Sequence, residues 1–408
     1  MRRFLYSLHE FFKRLRPHTT AMVILMTLAM FIWIQNIGYI RYIMYDYRIV
    51  KSSESNVYYT EAFVSDEDLS KLIQGQPTAM TLKVDEIAKM PEVDHVYCVY
   101  TANSVSYHDS GFSILLLDPK ITEDFTALKE TGFDFEGNEE GCIVVGPYFD
   151  DLSHEIELKF NRPGIHTETF PVIKHIRSAY KQLLLSGTST DHLAQDLFQS
   201  VDAAIIMPAT KKNLEHFREV SLLISSPNYI ISFNKSASND DIAGVKRAFA
   251  PFGQMVSMEE ITNNTEVQIK ENMKTMLPRP AFLLLTSTVS YLSMVILFVR
   301  KKSDELAVSY LCGASKSQTI RLTLAATTVV SLIPAIINLI IIGIADSSRT
   351  NAALDDGFLG IRFSSMMLGD TARLMVLAYC AFTLIIAFVT VRAMTAGKSP
   401  IMLLRRNE

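Results

Sequence analysis

Four long stretches of this chain contain no Asp, Glu, Lys or Arg: Ala21 to Ile40, Ala281 to Val299, Leu322 to Ile344 and Leu374 to Val391. Without intramembrane charges there is no carboxylate-lined translocation path and no ion relay. Cysteine is also sparse. Cys98, Cys142, Cys312 and Cys380 are too few and too scattered for a disulfide framework. Cys98 and Cys142 leave room for one bridge; alternatively each is a small core hydrophobe in a strand-like run. Catalytic motifs are missing as well. Gly397-Lys398-Ser399 resembles the end of a phosphate-binding loop, but position 392 is Arg where that loop needs Gly. His154-Glu155 begins like a zinc-protease helix, but the fifth position is Leu158. His166 and His175 stand alone, and no Gly-x-Ser-x-Gly occurs. The expectation is a chain with no covalent chemistry, no metal and no cofactor of its own.

Each uncharged stretch is close to the roughly 20 residues that cross a bilayer as a helix. The spacing is one span, about 240 polar and foldable residues, then three spans. Lys and Arg accumulate in cytoplasmic loops. Residues 1–19 carry five basic residues against Glu10, and 300–321 carry five against Asp304 and Glu305. The tail from 392 carries four against Glu408, whereas 41–279 carries 22 basic and 35 acidic residues. Both termini are therefore expected in the cytoplasm, with 41–279 and 345–373 outside. A cleaved signal peptide is the alternative for the first span. Its apolar run is longer than usual, no A-x-A-like site follows, and Tyr39, Tyr42, Tyr45 and Tyr47 crowd its outer end, as at a lipid interface.

Ahead of that span, Phe4, Leu5, Leu8, Phe11, Phe12 and Leu15 form one helical face flanked by Arg and Lys. This fits a basic amphipathic helix on the inner leaflet, with a disordered basic leader as the alternative. The large middle region alternates strand-like and helix-like pieces. Val93 to Tyr107 reads as a strand or hairpin, and Cys142 to Val145, Ala203 to Met207 and Tyr229 to Phe233 read as strands. Lys83 to Met90, Asp191 to Val201, and Asp240 to Phe249 capped by Asn239 read as helices. Residues 150–220 are the least patterned and are read as an inserted subdomain. Ile37 to Val50 continues the first helix, and Val256 to Met276 forms a second that leads through Pro278 and Pro280 into the second span. Together they would make a two-helix stalk.

The most specific stretch is Lys301 to Leu324. Leu306, Ala307, Tyr310, Leu311 and Ala314 give a helical apolar face. Gly313 is placed to end that helix at φ > 0, and Ser315 with Gln318 forms a capping box for the next. This is either an interfacial helix lying on lipid headgroups or a lever moved by a cytoplasmic protein.

With these features the chain resembles the FtsX/MacB-type permeases of ABC transporters. The resemblance is carried by the 1 + 3 span pattern, by Glu305 followed by Gly313-Ala314-Ser315, and by the tail motif Pro400 to Leu404-Arg405. It is also carried by the outer-domain pieces Glu86 to Tyr100 and Cys142 to Gly146. The fold it implies is an α-helical membrane protein with four transmembrane helices plus an α+β extracytoplasmic domain on a two-helix stalk. Residues 1–19 would be a cytoplasmic amphipathic helix and 20–45 the first transmembrane helix with the start of the stalk. Residues 46–279 would form the MacB-like domain, with the insertion at 150–220. Transmembrane helices would follow at 280–300, 322–344 and 374–391, separated by a cytoplasmic coupling helix and hinge at 301–321 and an outer loop at 345–373. Residues 392–408 would be a cytoplasmic tail.

The implied function is mechanotransmission in a bacterial cytoplasmic membrane. A separate ABC ATPase, binding ATP and Mg, would dock on 303–315 and move the outer domains. A second permease copy, as homodimer or related heterodimer, the lipid bilayer and a periplasmic or extracellular accessory protein are the implied partners; nucleic acid is not. The substrate would be a peptide, a lipid-linked molecule or an antimicrobial. A signalling subunit controlling an outer enzyme, or an anchored receptor without ATPase, are the competing readings.

Overall fold

A computed structural model of the protein describes residues 16–53, 56–74, 76–108, 110–130, 133–135, 137–146, 149, 152, 154–176, 180–183, 191–201, 204–301, 308, 316–347 and 370–395. In chain order these form helix α1 (Arg16–Lys51), β1 (Val57–Ala62), α2 (Asp66–Ile73), α3 (Ala79–Ile87), β2 (Val93–Tyr97), β3 (Val99–Tyr107) and β4 (Ser110–Leu117). Next come α4 (Ile121–Asp124), α5 (Thr126–Glu130), β5 (Cys142–Val145), β6 (Glu155–Phe160), β7 (His166–Ile176), β8 (Tyr180–Leu183), β9 (Phe198–Val201) and β10 (Ala204–Pro208). The chain continues through α6 (Lys211–Val220), β11 (Leu222–Ser225), β12 (Ile230–Phe233), α7 (Asn239–Phe249) and β13 (Gly253–Ser257). It closes with α8 (Met258–Met276), α9 (Pro278–Lys301), α10 (Lys316–Ser347) and α11 (Asp370–Thr395). The described residues form two compact units, one drawn from 16–39, 272–347 and 370–395, the other from 40–271.

The first unit is helical. Four helices, α1, α8 running into α9, α10 and α11, are long and apolar enough to cross a membrane. Met22 and Met26 pack with Tyr291, Val295, Phe298, Val330, Ala387 and Val391 in one interior cluster. Met30, Ile34, Ala335, Ile342, Val376 and Cys380 make a second. The outward faces are apolar too, with Ile24, Phe282, Leu285, Ile340, Leu374 and Ile385 all exposed. Helices that are apolar all round belong in a lipid environment or a large core. Here the outward side chains are exposed, which suits a lipid environment.

The second unit is a separate domain of mixed α and β structure containing two main sheets. The four-stranded sheet has the order β13-β1-β12-β2, antiparallel throughout. Helices α2 and α3 precede β2, and α7 connects β12 to β13. This is a βαββαβ arrangement. Val84 and Ile87 of α3 and Ile242, Val245 and Phe249 of α7 bury its face against Ile231 and Phe233. Where a simple unit would turn directly from β2 to β12, this chain builds a whole second sheet.

That second sheet has seven strands in the order β11-β3-β4-β10-β5-β7-β6. It curls until β6 pairs with the far half of β3, at Val105↔Phe160 and Ser106↔Lys159. The switch of partner on β3 occurs at a register shift between Ala102 and Val105, where Ser104 has φ 69°. A bulge at such a point bends the strand. Strands β5 and β10 are buried at every position. Cys142, Val144, Ile205 and Met207 face the interior of the curl with Phe149, Phe160 and Phe217. Ile143, Val145, Ala204 and Ile206 face the opposite cluster with Phe125, Phe133 and Phe198. Both faces being covered explains why these strands read as continuous apolar runs rather than alternating ones.

Several expectations are corrected. The segment 150–220 is no separate subdomain: β6, β7 and β10 are members of the seven-stranded sheet. The insertion is larger and runs from Val99 to Ser225, between β2 and β12. The stretch Val93 to Tyr107 is two strands that belong to different sheets. Asp191 to Val201 is not a helix. The Asp196 carboxylate accepts from Leu193 N at 2.8 Å and closes a short 3-10 turn, after which β9 is extended and pairs with β8. Leu193, Ala194 and Leu197 are spaced like a helical face, but they bury against the domain core from a turn. Helix α7 is capped by Ser238 rather than Asn239, in a capping box with Asp241.

The two sheets are joined where the chain passes from β2 to β3 through Cys98 and returns from β11 to β12 through Ser226–Tyr229. Ser226 N donates to Val99 O at 2.7 Å, so the outgoing and returning strands are tied side by side. Asn228 is almost fully buried there. Its Nδ2 donates to Tyr59 Oη at 2.7 Å and its Oδ1 accepts from Ala62 N at 2.8 Å. Asn228→Ala removes one partner of the Tyr59 hydroxyl and leaves the buried Ala62 N–H without this acceptor, at a cost of about 1–3 kcal/mol. The expected result is a clearly lowered melting temperature of the detergent-solubilised protein. A melting curve equal to the wild type would remove Asn228 from its place as the tie between the sheets.

Candidate functional site

The residues proposed from sequence as the docking and hinge segment, Glu305, Leu306, Tyr310, Leu311, Gly313, Ala314 and Ser315, lie outside the described residues. So do Pro400, Leu404 and Arg405 of the tail motif. Within 303–315 only Val308 is described, as helical and exposed. The flanking helices α9 and α10 end at Lys301 and begin at Lys316.

The bridge between Cys98 and Cys142 is corrected: both are free thiols. Cys142 is sealed in the interior of the curled sheet, while Cys98 packs against the cluster on the four-stranded sheet. The Cys98 Sγ donates weakly to Val99 O at 3.6 Å and Ser226 O at 3.9 Å. Burial pushes each thiol up to about 12, so neither is a ready nucleophile.

The arrangement with functional meaning in the second unit lies where the chain enters and leaves it. Residues 40–51 of α1 and 258–271 of α8 belong to this unit. Ile49 and Val50 of α1 and Met258 and Ile261 of α8 share one apolar cluster with Val57, Tyr59, Tyr97, Leu115 and Ile143. Both helix ends are thus rooted in the core that the two sheets share. On the rim of this root, Tyr47 Oη donates to Glu266 Oε2 at 3.1 Å, across from one helix to the other. Lys270 Nζ donates to Glu266 Oε1 at 2.6 Å, and Lys51 Nζ donates to Tyr47 Oη at 3.1 Å. The hydrogen bond from Lys270, then that from Tyr47, holds the Glu266 carboxyl below the usual carboxylate range. These exposed pairs add little energy individually. Their geometry specifies which turn of α1 faces which turn of α8.

Helix α8 is also bonded to the turn before β9. Thr265 is fully buried, and its Oγ1 accepts from Ala194 N at 2.8 Å while donating to Ile261 O at 2.7 Å. Asn264 Nδ2 donates to Asp191 O at 3.0 Å. Reading the sequence alone misses this contact, because no local pattern relates Ala194 to a residue 71 positions further along the chain.

In the helical unit several polar side chains are hydrogen-bonded across helices or to their own helix backbone. Ser331 and Thr383 hydroxyls lie 2.6 Å apart between α10 and α11, and Ser287 and Tyr379 hydroxyls 2.6 Å apart between α9 and α11. Tyr291 Oη donates to Thr327 O at 3.1 Å, and Asn338 Nδ2 to Pro334 O at 2.9 Å. Such bonds hold apolar helices in register where the hydrophobic effect gives no preference. Among the described residues no group of three or more His, Cys, Asp or Glu is arranged to hold a metal.

No protein-family model matches the chain, and no curated protein matches it. The resemblance to FtsX/MacB-type permeases therefore rests on the sequence features alone.

Thr265→Val keeps the shape and removes the acceptor for Ala194 N. Losing that buried bond should cost about 1–3 kcal/mol locally. Hydrogen–deuterium exchange of the peptide spanning 191–198 should accelerate by roughly tenfold or more, with exchange in β5 and β10 unchanged. Unaltered exchange at 191–198 would show that α8 does not hold this turn.

Proposed function

We propose that the chain is the permease subunit of an ABC transporter of FtsX/MacB type. In this reading a separate ATPase, which binds ATP and Mg, docks on the cytoplasmic segment 303–315. The work of hydrolysis reaches the mixed α/β domain as displacement of α1 and α8. The function is mechanotransmission for export or extraction of a peptide, lipid-linked or antimicrobial substrate. Two permease copies with two ATPase chains make the working unit. The termini are cytoplasmic and the domain lies outside a bacterial cytoplasmic membrane.

The observation that carries the reading is the rooting of α1 and α8 in one cluster of the domain core. Two levers anchored in the same core move it as a body. Several polar side chains among the spans are hydrogen-bonded to one another and to backbone, which suits a bundle that shifts as packed helices better than one that opens a charged path. The basic residues flanking the spans support the orientation.

Co-purification in mild detergent tests the partner. A nucleotide-hydrolysing chain should accompany the wild type, and Leu306→Asp and Tyr310→Ala should each weaken its binding by about 2 kcal/mol or more. Gly313→Val should retain binding but uncouple hydrolysis, since a β-branched residue resists φ > 0. Absence of any ATPase from the wild-type complex would instead favour a receptor.

Orientation has its own measurement. Asn239 is exposed at the start of α7, and Cys98, Cys142 and Cys380 give little background because they are wholly or partly buried. Asn239→Cys should react with a membrane-impermeant maleimide from outside intact cells. Protection there, combined with labelling of Ser303→Cys from the same side, would invert the topology.

A further inference from the structure

Beside the crossing between the two sheets the second unit contains a cleft of about 590 Å³. A volume of this order is that of a small-molecule site. One wall comes from the four-stranded sheet's helices and includes Asp85 of α3. The other comes from the inserted sheet and includes Arg162 of the β6–β7 turn, Arg218 of α6 and Ser225 of β11. Cys98 and Tyr100 lie at the floor, where the chain changes sheets.

Three features distinguish this cleft. It is lined by two guanidinium groups against one carboxylate, within a region of 22 basic and 35 acidic residues. Both arginines are exposed, and neither makes an ion pair or a side-chain hydrogen bond among the described residues, so their guanidinium groups are open to a ligand. And both arginines come from one wall, so an anion seated on them faces the other subdomain across the cleft. A carboxylate has two oxygens and is satisfied by one guanidinium fork. Arg162 and Arg218 line the same cleft as Tyr100 and Ser225; two guanidinium groups supply more donors and more charge than a carboxylate accepts, and together they suit the three terminal oxygens of a phosphate.

We propose that this cleft binds a ligand bearing a phosphate group, held by Arg162 and Arg218, at the junction of the two sheets. The ligand's remaining portion faces Asp85 and bridges the two subdomains. The partly buried Cys98 thiol lines the cleft as a neutral group and takes no chemical part. The inference goes beyond the transport reading and does not depend on any ATPase. Phosphate monoesters occur both as soluble metabolites and as lipid headgroups, and the cleft chemistry is shared by the two.

The test is isothermal titration of the full-length protein in phosphatidylcholine nanodiscs with inorganic phosphate, glycerol 3-phosphate, acetate and monomeric dihexanoyl phosphatidic acid. Saturable binding of the phosphates is expected, with acetate much weaker. Arg162→Ala and Arg218→Ala should each weaken phosphate binding by about tenfold or more, as loss of a charge-assisted hydrogen bond requires. Lys at either position should restore part of the loss. Asp85→Asn should strengthen inorganic phosphate binding, because it removes the like charge opposite. Tighter binding of the phosphatidic acid than of glycerol 3-phosphate would assign the lipid source, and the reverse the soluble one; both support the site. The proposal is overturned if no phosphate binds saturably, if acetate binds as tightly as phosphate, or if both alanine variants bind as the wild type does while melting at the wild-type temperature.

Discussion

The domain depends on a single narrow crossing. The chain leaves the four-stranded sheet through Cys98, builds seven strands, and returns through Ser226–Tyr229. Backbone at such a crossing has lost its ladder partners and must find others or stay unsatisfied. Ser226 N finds Val99 O, Ala62 N finds Asn228 Oδ1, and Tyr229 N finds the Thr60 hydroxyl at 2.8 Å. The two sheets can then share an apolar cluster because their connection is held in one register. The roots of α1 and α8 lie in that same cluster.

Much of this architecture was legible because the strongest signals are local. Uncharged runs long enough for a bilayer identified all four long helices. The short apolar runs Cys142 to Val145 and Ala203 to Met207 stood out because the strands β5 and β10 that they became are buried on both faces. The insertion was misjudged for a physical reason. Sheet membership is set by long-range pairing, and nothing in Val93 to Tyr107 announces that its two halves separate at Cys98. One local signal was overlooked: Glu155–Phe160 alternates exposed and buried at every position, the period of a strand with one wet face. Asp191–Val201 misled because a turn carrying Leu193, Ala194 and Leu197 copies helical spacing over a short window.

The candidate sites divide differently. The Glu305 to Ser315 helix was read from motif and periodicity, and those residues lie outside the described ones. The Tyr47–Glu266 clasp joins residues more than 200 positions apart, and no periodicity points to such a pair. Likewise Arg162 and Arg218 are unremarkable in sequence and become neighbours of one cleft only after β6, β7 and α6 are folded onto the sheet. Groups that act together are assembled by topology, which single-sequence patterns encode weakly.

The clasp has one more consequence. Because Tyr47 and Glu266 touch, the two points at which the domain joins its helices are adjacent. A domain whose ends meet can be exchanged, enlarged or shortened as a cassette without changing the spacing demanded of the helices that carry it. The seven-stranded insertion repeats the device one level up, since its own ends are tied at Val99 and Ser226. The molecule is nested: a sheet inserted in a sheet, itself inserted between two spans.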